Sequence, residues 1–207
     1  MAWHEAYDDP SSALSVRLRW VRSHLSDAIE QAPAGPIRLL SLCAGQGHDV
    51  IGVLPDHPRR DDVRAVLVEY DARNAGRARR AAAHHGLSGV EVRQADAGLV
   101  ASFTDVLPAD VLLLCGIFGN VSDADIRHAV QASPALCRPG ATVIWTRHRR
   151  PPDLTPRIRA WFAEAGLAEI AFDALDTDVL TSVGVHRVGH TPAEEPPAGR
   201  LFTFIAT

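Results

Sequence analysis

Cysteine is scarce in this chain. Its three residues, Cys43, Cys115 and Cys137, are too few and too widely spaced for a disulfide framework or a zinc knuckle. A reducing, cytoplasmic location is the simplest interpretation. No apolar run approaches the ~20 residues of a membrane span. Polar and charged residues stand near the N-terminus where a secretory signal would be apolar, so we expect neither export nor a membrane partner.

An excess of positive charge is also lacking. The 21 Lys and Arg residues against 25 Asp and Glu residues give a net charge of −4. Proteins that bind nucleic acid usually carry a basic patch or stripe, so we expect no nucleic-acid partner. The length of 207 residues and the 46% hydrophobic content predict one globular domain over residues 1–207.

Short apolar runs alternate with helical patterns along most of the chain. Strands are predicted at 37–42, 63–68, 90–92, 111–114 and 142–145, and helices at 49–54, 74–85, 123–136 and 155–165. Such alternation predicts an α/β, Rossmann-like doubly wound sheet that is mostly parallel, with helices on both faces. The last predicted strands, 168–172, 183–188 and 201–205, have no helices between them, so we expect an antiparallel edge strand.

The N-terminal segment is predicted to be helical. Ser11 or Ser12 can cap a helix in which apolar residues recur at helical spacing. We expect residues 1–34 to form a lid or cap segment over the ligand cleft.

A glycine-rich turn follows the first predicted strand and reads Cys43-Ala44-Gly45-Gln46-Gly47-His48-Asp49. Glycines let the backbone bend sharply and approach a ligand closely. The helix N-terminus that follows favours a carboxylate or phosphate. A tight turn without a ligand is the alternative.

Acidic residues stand where the next two strands end. Glu69 lies 22 positions after Gly47, and a carboxylate there can accept hydrogen bonds from a ribose diol. Asp96 can accept from an exocyclic adenine amine, and the N–H of Ala97 can serve a ring nitrogen. The alternatives are a solvated acid for Glu69 and a helix cap for Asp96.

Together, the glycine turn, Glu69, the Asp96-Ala97 pair and Pro139-Gly140 resemble the class I S-adenosylmethionine-dependent methyltransferases, over residues 37–172. The resemblance implies a seven-stranded sheet with S-adenosylmethionine along its C-terminal edge and S-adenosylhomocysteine as product. Gly45 and Gly47 would pass under the methionine part. The implied cofactor-binding residues are Gly45, Gln46, Gly47, Asp49, Glu69, Tyr70, Asp96, Ala97, Cys115 and Gly116.

The turn departs from the family pattern in two places. The family often has an acid at the position of Cys43 and a third glycine where Asp49 stands. Asp49 is therefore a candidate replacement carboxylate near the amino-acid end of the cofactor. A dinucleotide is less favoured, because the full G-x-G-x-x-G pattern is missing.

The acceptor side is predicted beyond the fourth and fifth strands. The turn 115–121 lacks the Asn/Asp-Pro-Pro-aromatic motif of enzymes that methylate nucleobase amines and protein glutamine. Asn120, Arg147 and His148 are the candidate catalytic residues, which could orient a nucleophile, hold an anionic group and act as a base. A turn residue and a solvated charge run are the alternatives. Candidate substrate-binding residues are Trp3, His4, Tyr7 and Phe118.

These patterns predict an enzyme that transfers a methyl group from S-adenosylmethionine to a small-molecule nitrogen or oxygen nucleophile. The positive cluster favours an anionic acceptor, and no metal is expected. Two alternatives remain: a non-catalytic S-adenosylmethionine-binding module, and another nucleotide-dependent enzyme such as an NAD-type oxidoreductase.

Overall fold

Seven strands and five α-helices make up the computed structural model, which describes residue 9 and residues 12–175, 180–189 and 195–205. The strands are β1 (Ile37–Leu42), β2 (Val63–Glu69), β3 (Val90–Gln94), β4 (Ala109–Leu114), β5 (Cys137–His148), β6 (Leu167–Ala174) and β7 (Thr181–Val188). The helices are α1 (Ala13–Gln31), α2 (Val50–Val53), α3 (Ala72–His84), α4 (Asp123–Leu136) and α5 (Thr155–Glu164).

The strands form one sheet in the order β3-β2-β1-β4-β5-β7-β6. The first four neighbouring pairs are parallel, whereas β7 runs antiparallel to both β5 and β6. This confirms the predicted α/β, Rossmann-like sheet with an antiparallel pair at one edge. The antiparallel strand is β7, one place in from the edge, and β6 is the edge strand.

Helices cover both faces of the sheet because its central strands are apolar on both sides. Residues of α1, α2 and α3 pack with one set of strand side chains, and residues of α4 and α5 pack with the other. The strand order reverses between β1 and β4, where chain connections leave toward opposite sides. Ligands of open α/β sheets bind in the crevice at such a point, outside the carboxyl ends of the strands.

Helix α1 begins where the sequence predicts. The side-chain oxygen of Ser12 accepts a hydrogen bond from the Ser15 N–H at 3.1 Å, which caps the helix. The helix buries Val21, Leu25 and Ile29 against the sheet. Its own N-terminal turns extend toward the carboxyl edge of the sheet, where the cleft lies.

Two predictions about strands are wrong: one concerns the end of the chain and the other the start of β5. The segment 201–205 is not a strand: isolated bridges join Arg200 to Leu99 and Phe204 to Val121. Its apolar character reflects the packing of Leu201 and Phe202 into the core, not pairing within the sheet. Strand β5 begins before Pro139-Gly140, and its register with β4 shifts there, so that pair lies in a strand irregularity.

A buried histidine sits in an aromatic cluster between β5, β7 and α5. The His186 ring is 1% exposed and stacks on Phe162 at 4.4 Å between centroids. The Trp145 Nε1–H donates to His186 Nδ1 at 3.2 Å, which assigns the neutral form with hydrogen on Nε2. Burial lowers the pKa of His186 to about 4, and the nearby Glu169 carboxylate offsets this only partly.

This pKa predicts a pH-dependent stability. Between pH 6.5 and about 4 the unfolded chain binds a proton at His186 and the folded chain does not, so stability falls as pH falls. The loss is at most about 3 kcal/mol. In His186→Phe that proton uptake is absent. Denaturant unfolding at pH 7, 5.5 and 4.5 should show wild type losing more stability than the variant, and parallel pH profiles would contradict it.

Candidate functional site

The turn after β1 carries three residues with left-handed backbone. Cys43, Gly45 and Gly47 have φ angles of +57°, +58° and +71°. Such angles are strained for any residue with a Cβ, so the positions that favour glycine are 43, 45 and 47. Asp49 has an ordinary helical φ of −71°. The interpretation that Asp49 replaces a glycine and Cys43 an acid is therefore wrong.

Asp49 instead begins helix α2. Its Oδ1 accepts a hydrogen bond from the Val50 N–H at 2.8 Å, and the residue is 8% exposed. Burial raises the pKa of this carboxyl, while the charges of Arg22 and Arg17 act in the opposite direction. Asp49 thus places a carboxyl group in a mostly enclosed part of the cleft.

The Glu69 carboxylate joins the ends of β1 and β2. Its Oε2 accepts from the Gly45 N–H at 2.7 Å and its Oε1 from the Asp71 N–H at 2.8 Å. A carboxylate offers about four acceptor positions, so two remain after these bonds. The side chain is therefore fixed in place and keeps capacity for two further donors.

A cavity of about 480 Å³ opens beside this turn, within the range of small-molecule sites. Its walls come from α1, the glycine turn, α3, the turn after β4 and Thr146 of β5. The lining residues are Leu14, Arg17, Leu18, Val21, Cys43, Ala44, Gly45, Gln46, His48, Asp49, Asn74, Cys115, Gly116, Asn120 and Thr146. The predicted residues Gly45, Gln46, Asp49, Cys115, Gly116 and Asn120 are thus brought together.

The two glycines of the turn face different surroundings. A Cβ built on Gly45 meets nothing within 4 Å, whereas one on Gly47 would lie 2.7 Å from Ile51 Cδ1 and 2.9 Å from Leu67 Cδ2. Gly45 therefore exposes backbone to the cavity. Gly47 lets the turn pack against the core.

The predicted adenine side lies at the ends of β2 and β3, outside the cavity walls. Asp96 Oδ1 accepts from the Gly98 N–H at 2.8 Å, and its Oδ2 pairs with Arg200 at 2.8 Å. Ala97 is buried, and Tyr70 is 77% exposed. Sequence reasoning did not find Arg200, because residues 104 positions apart meet here only through the path of the C-terminal segment.

The turn after β4 is held by its own hydrogen bonds. The Gly116 N–H donates to Thr146 Oγ1 at 2.9 Å, and Asn120 Nδ2 donates to the Gly116 carbonyl at 2.8 Å. Burial raises the pKa of the Cys115 thiol, which keeps it protonated.

The Phe118 ring is fully buried against Trp145, so it offers no surface to a substrate and its predicted role is wrong.

Arg147 and His148 lie beside the β4 turn, as expected for neighbouring strand ends, but they do not line the cavity. The Arg147 guanidinium donates to the Phe118 carbonyl, and burial lowers the pKa of Arg147. His148 Nδ1 accepts from the Arg150 N–H at 3.3 Å. Burial lowers the pKa of His148, and the charges of Arg147 and Arg150 lower it further, so the ring is neutral at pH 7. Because Nδ1 accepts a hydrogen bond, the ring hydrogen is assigned to Nε2.

Three predicted substrate-binding residues, Trp3, His4 and Tyr7, lie outside the described residues. Across the part of the chain that is described, no group of three or more His, Cys, Asp or Glu side chains could hold a metal ion. Within that same part, none of the helices has the length and apolar character to cross a membrane.

Comparisons with known proteins give matches at the level of structure alone. No family model matches the chain, and no curated protein is similar to it. An O-methyltransferase family protein from Burkholderia thailandensis is 17% identical with a TM-score of 0.66, covering 84% of this chain and 57% of that one. The CurJ carbon methyltransferase is 16% identical with a TM-score of 0.62, covering 86% and 56%.

A third similar structure has almost the same extent as this chain. It is an RNA methyltransferase from Salinibacter ruber in complex with S-adenosyl-L-homocysteine, 19% identical, with a TM-score of 0.52 and coverage of 85% and 93%. The chain spans less than two thirds of the first two proteins. This chain therefore has the class I S-adenosylmethionine-dependent methyltransferase fold. The similar structures with this fold include O-, carbon and RNA methyltransferases.

The contrast between the two glycines is testable with matched variants. Both Gly45→Ala and Gly47→Ala place a Cβ at positive φ, at a shared cost of about 1–2 kcal/mol. Gly47→Ala should lose about 1–3 kcal/mol more, because its Cβ overlaps the core. Gly45→Ala should instead weaken S-adenosylhomocysteine binding. Urea unfolding and titration calorimetry measure the two effects. The assignment would be refuted if the two variants were equally stable, or if Gly45→Ala bound S-adenosylhomocysteine as tightly as wild type does.

Proposed function

We propose that this chain transfers a methyl group from S-adenosylmethionine to a small-molecule nitrogen or oxygen nucleophile. The observation that carries the proposal is the glycine turn bound to the Glu69 carboxylate, beside a cavity of about 480 Å³. The turn lies at the carboxyl edge of the sheet, where α/β folds bind ligands. The methyltransferase fold of the chain supports the same reaction class.

The cofactor fits the residues present. Gly45 and Gly116 leave open space where a Cβ would stand, so backbone can approach the methionine part and sulfonium. Glu69 keeps two acceptor positions for the ribose diol. Tyr70, Asp96 and Ala97 border the expected adenine position, and Gln46, Asp49 and Cys115 complete the proposed set, with Gly47 supporting the turn from within.

The chemistry asks little of the protein beyond placement. S-adenosylmethionine supplies an electrophilic methyl group, and the chain must hold the acceptor in line with it and exclude water. Such positioning contributes roughly 7–11 kcal/mol to lowering a barrier. In this proposal α1 covers the cleft.

On the acceptor side, Asn120, Arg147 and His148 have distinct proposed roles. His148 is neutral with hydrogen on Nε2, so it donates to an electron-rich group instead of removing a proton. Arg147 holds the β4 turn through the Phe118 carbonyl and adds positive charge behind it. Asn120 lines the cavity and braces the same turn. An anionic acceptor complements this edge.

A nucleic-acid acceptor is the second candidate, and one surface favours it. Arg73, Arg77 and Arg80 are exposed on one side of α3, at the spacing of a single helix face. A row of this kind attracts phosphates. The net charge of −4 opposes such a partner, so we retain the small molecule as the first candidate.

Cofactor identity is tested by titration calorimetry with S-adenosylhomocysteine and NADH. The proposal expects S-adenosylhomocysteine to bind at least about tenfold tighter than NADH. Glu69→Gln should lose on the order of 2–3 kcal/mol of that binding, because a charged acceptor is removed. Glu69→Ala is less informative, since two backbone N–H groups would also lose their acceptor.

Glu91→Gln is the matched control, because Glu91 is an exposed strand residue on β3 paired with Arg93. Its affinity for S-adenosylhomocysteine should equal that of wild type. Tighter binding of NADH, or an unchanged affinity in Glu69→Gln, would remove the basis of the proposal.

The acceptor side is tested by transfer of labelled methyl groups to small-molecule extracts and to RNA. The small molecule that becomes labelled is then used as the substrate. Arg147→Met and His148→Asn should each lower its turnover at least about tenfold, because orientation of the acceptor is lost. Affinity for S-adenosylhomocysteine should stay within a few-fold. Arg150→Met is the control, since its exposed side chain can change without losing the backbone bond to His148.

Two results would count against this assignment. Wild-type turnover in both variants would make Arg147 and His148 structural residues. Label appearing in RNA and in no small molecule would establish the second candidate.

A further inference from the structure

Helix α1 contributes a positive charge to the wall of the cavity. Of the four α1 residues that line it, Leu14, Leu18 and Val21 are apolar and Arg17 is charged. Arg17 forms no ion pair with any carboxylate among the described residues. A partly buried guanidinium facing a cavity in this way is suited to an anionic group of a ligand.

A carboxyl group stands on another wall of the same cavity. Asp49 is 8% exposed, and its Oδ1 is held by the Val50 N–H. The charge of Arg17 acts on the pKa of both Asp49 and Cys115, which locates the guanidinium near the turns after β1 and β4. A cavity with a cation and a carboxyl on different walls complements a ligand group that carries both charges.

The position of Arg17 is fixed by two contacts farther along α1. Arg22 donates from Nε and Nη2 to the His48 carbonyl at 2.9 and 2.6 Å, which attaches the helix to the glycine turn itself. His24 pairs with Asp173 of β6 on the other side. The helix is therefore held before any ligand arrives, and a preformed site loses less entropy on binding.

We propose that Arg17 binds the carboxylate at the amino-acid end of the cofactor, with Asp49 beside its ammonium group. This rests on the proposed function, since it assigns a ligand group to the same cleft. The guanidinium fork matches a carboxylate with two parallel hydrogen bonds. Recognition of the zwitterion would then come from a helix outside the sheet together with the residue that caps α2.

The test uses three ligands that differ at this end alone. S-adenosylhomocysteine carries both charges, its decarboxylated analogue carries only the ammonium, and 5′-methylthioadenosine carries neither. In calorimetric titrations, Arg17→Met should weaken S-adenosylhomocysteine about 10- to 100-fold. The two ligands without a carboxylate should bind wild type and variant within about twofold, which also shows that the variant is folded. Arg19→Met, on an exposed position of α1 outside the cavity walls, is the control and should leave all three unchanged.

The outcomes separate this inference from the proposed function. Binding of S-adenosylhomocysteine by wild type and Arg17→Met with equal affinity would overturn the role of Arg17 and leave the proposed function intact. Equal weakening of all three ligands would likewise overturn it, because the loss would not involve the carboxylate. If wild type binds none of the three, the proposed function itself fails and the inference with it.

Discussion

The carboxylate of Glu69 is the contact on which the geometry of the cleft depends. One oxygen holds the Gly45 N–H at the end of β1, and the other holds the Asp71 N–H just beyond β2. Asp71 in turn caps α3 through the N–H groups of Arg73 and Asn74. A single side chain therefore fixes the glycine turn and the entry to the next helix. The left-handed backbone of the turn persists because this bond and the parallel pairing of β1 with β2 over-determine it.

Much of the fold follows from the sequence because buried parallel strands leave a simple signature. The runs at 37–42 and 63–68 are apolar and short, and helical patterns separate them, so order and direction could be predicted. Glu69 was identifiable for a related reason, since its position at a strand end follows once β2 is located. The segment 201–205 was wrongly predicted to be a strand, because a short apolar run has the same composition whether it joins a sheet or packs on the core as a loop.

Parts of the site could not be predicted because they depend on backbone angles and on long-range packing. Residue type alone does not show that Cys43 has a positive φ, and so the glycine spacing was misplaced by two positions. The β4 turn folds back, which carries Phe118 into the core. Arg17 did leave a signal: it interrupts the apolar face of α1 between Leu14 and Val21, at spacings of three and four.

The structure also separates two kinds of contribution to the cleft. Glu69, at a strand end, is fixed by hydrogen bonds to backbone N–H groups, and in our proposal it binds the nucleoside. The side chains that α1 and the turn after β4 bring to the cavity lie on separate elements, and in our proposal Arg17 of α1 binds the amino-acid end of the cofactor. The fold alone does not specify the acceptor, since the similar structures include O-, carbon and RNA methyltransferases.

A crystal structure of the protein with S-adenosylhomocysteine tests the central claim most directly. The account predicts that the ribose hydroxyls lie within hydrogen-bond distance of Glu69, roughly 3.2 Å or less. The amino-acid end should enter the cavity between Gly45 and α1. Density for the ligand elsewhere on the chain, or a ribose turned away from Glu69, would contradict the account.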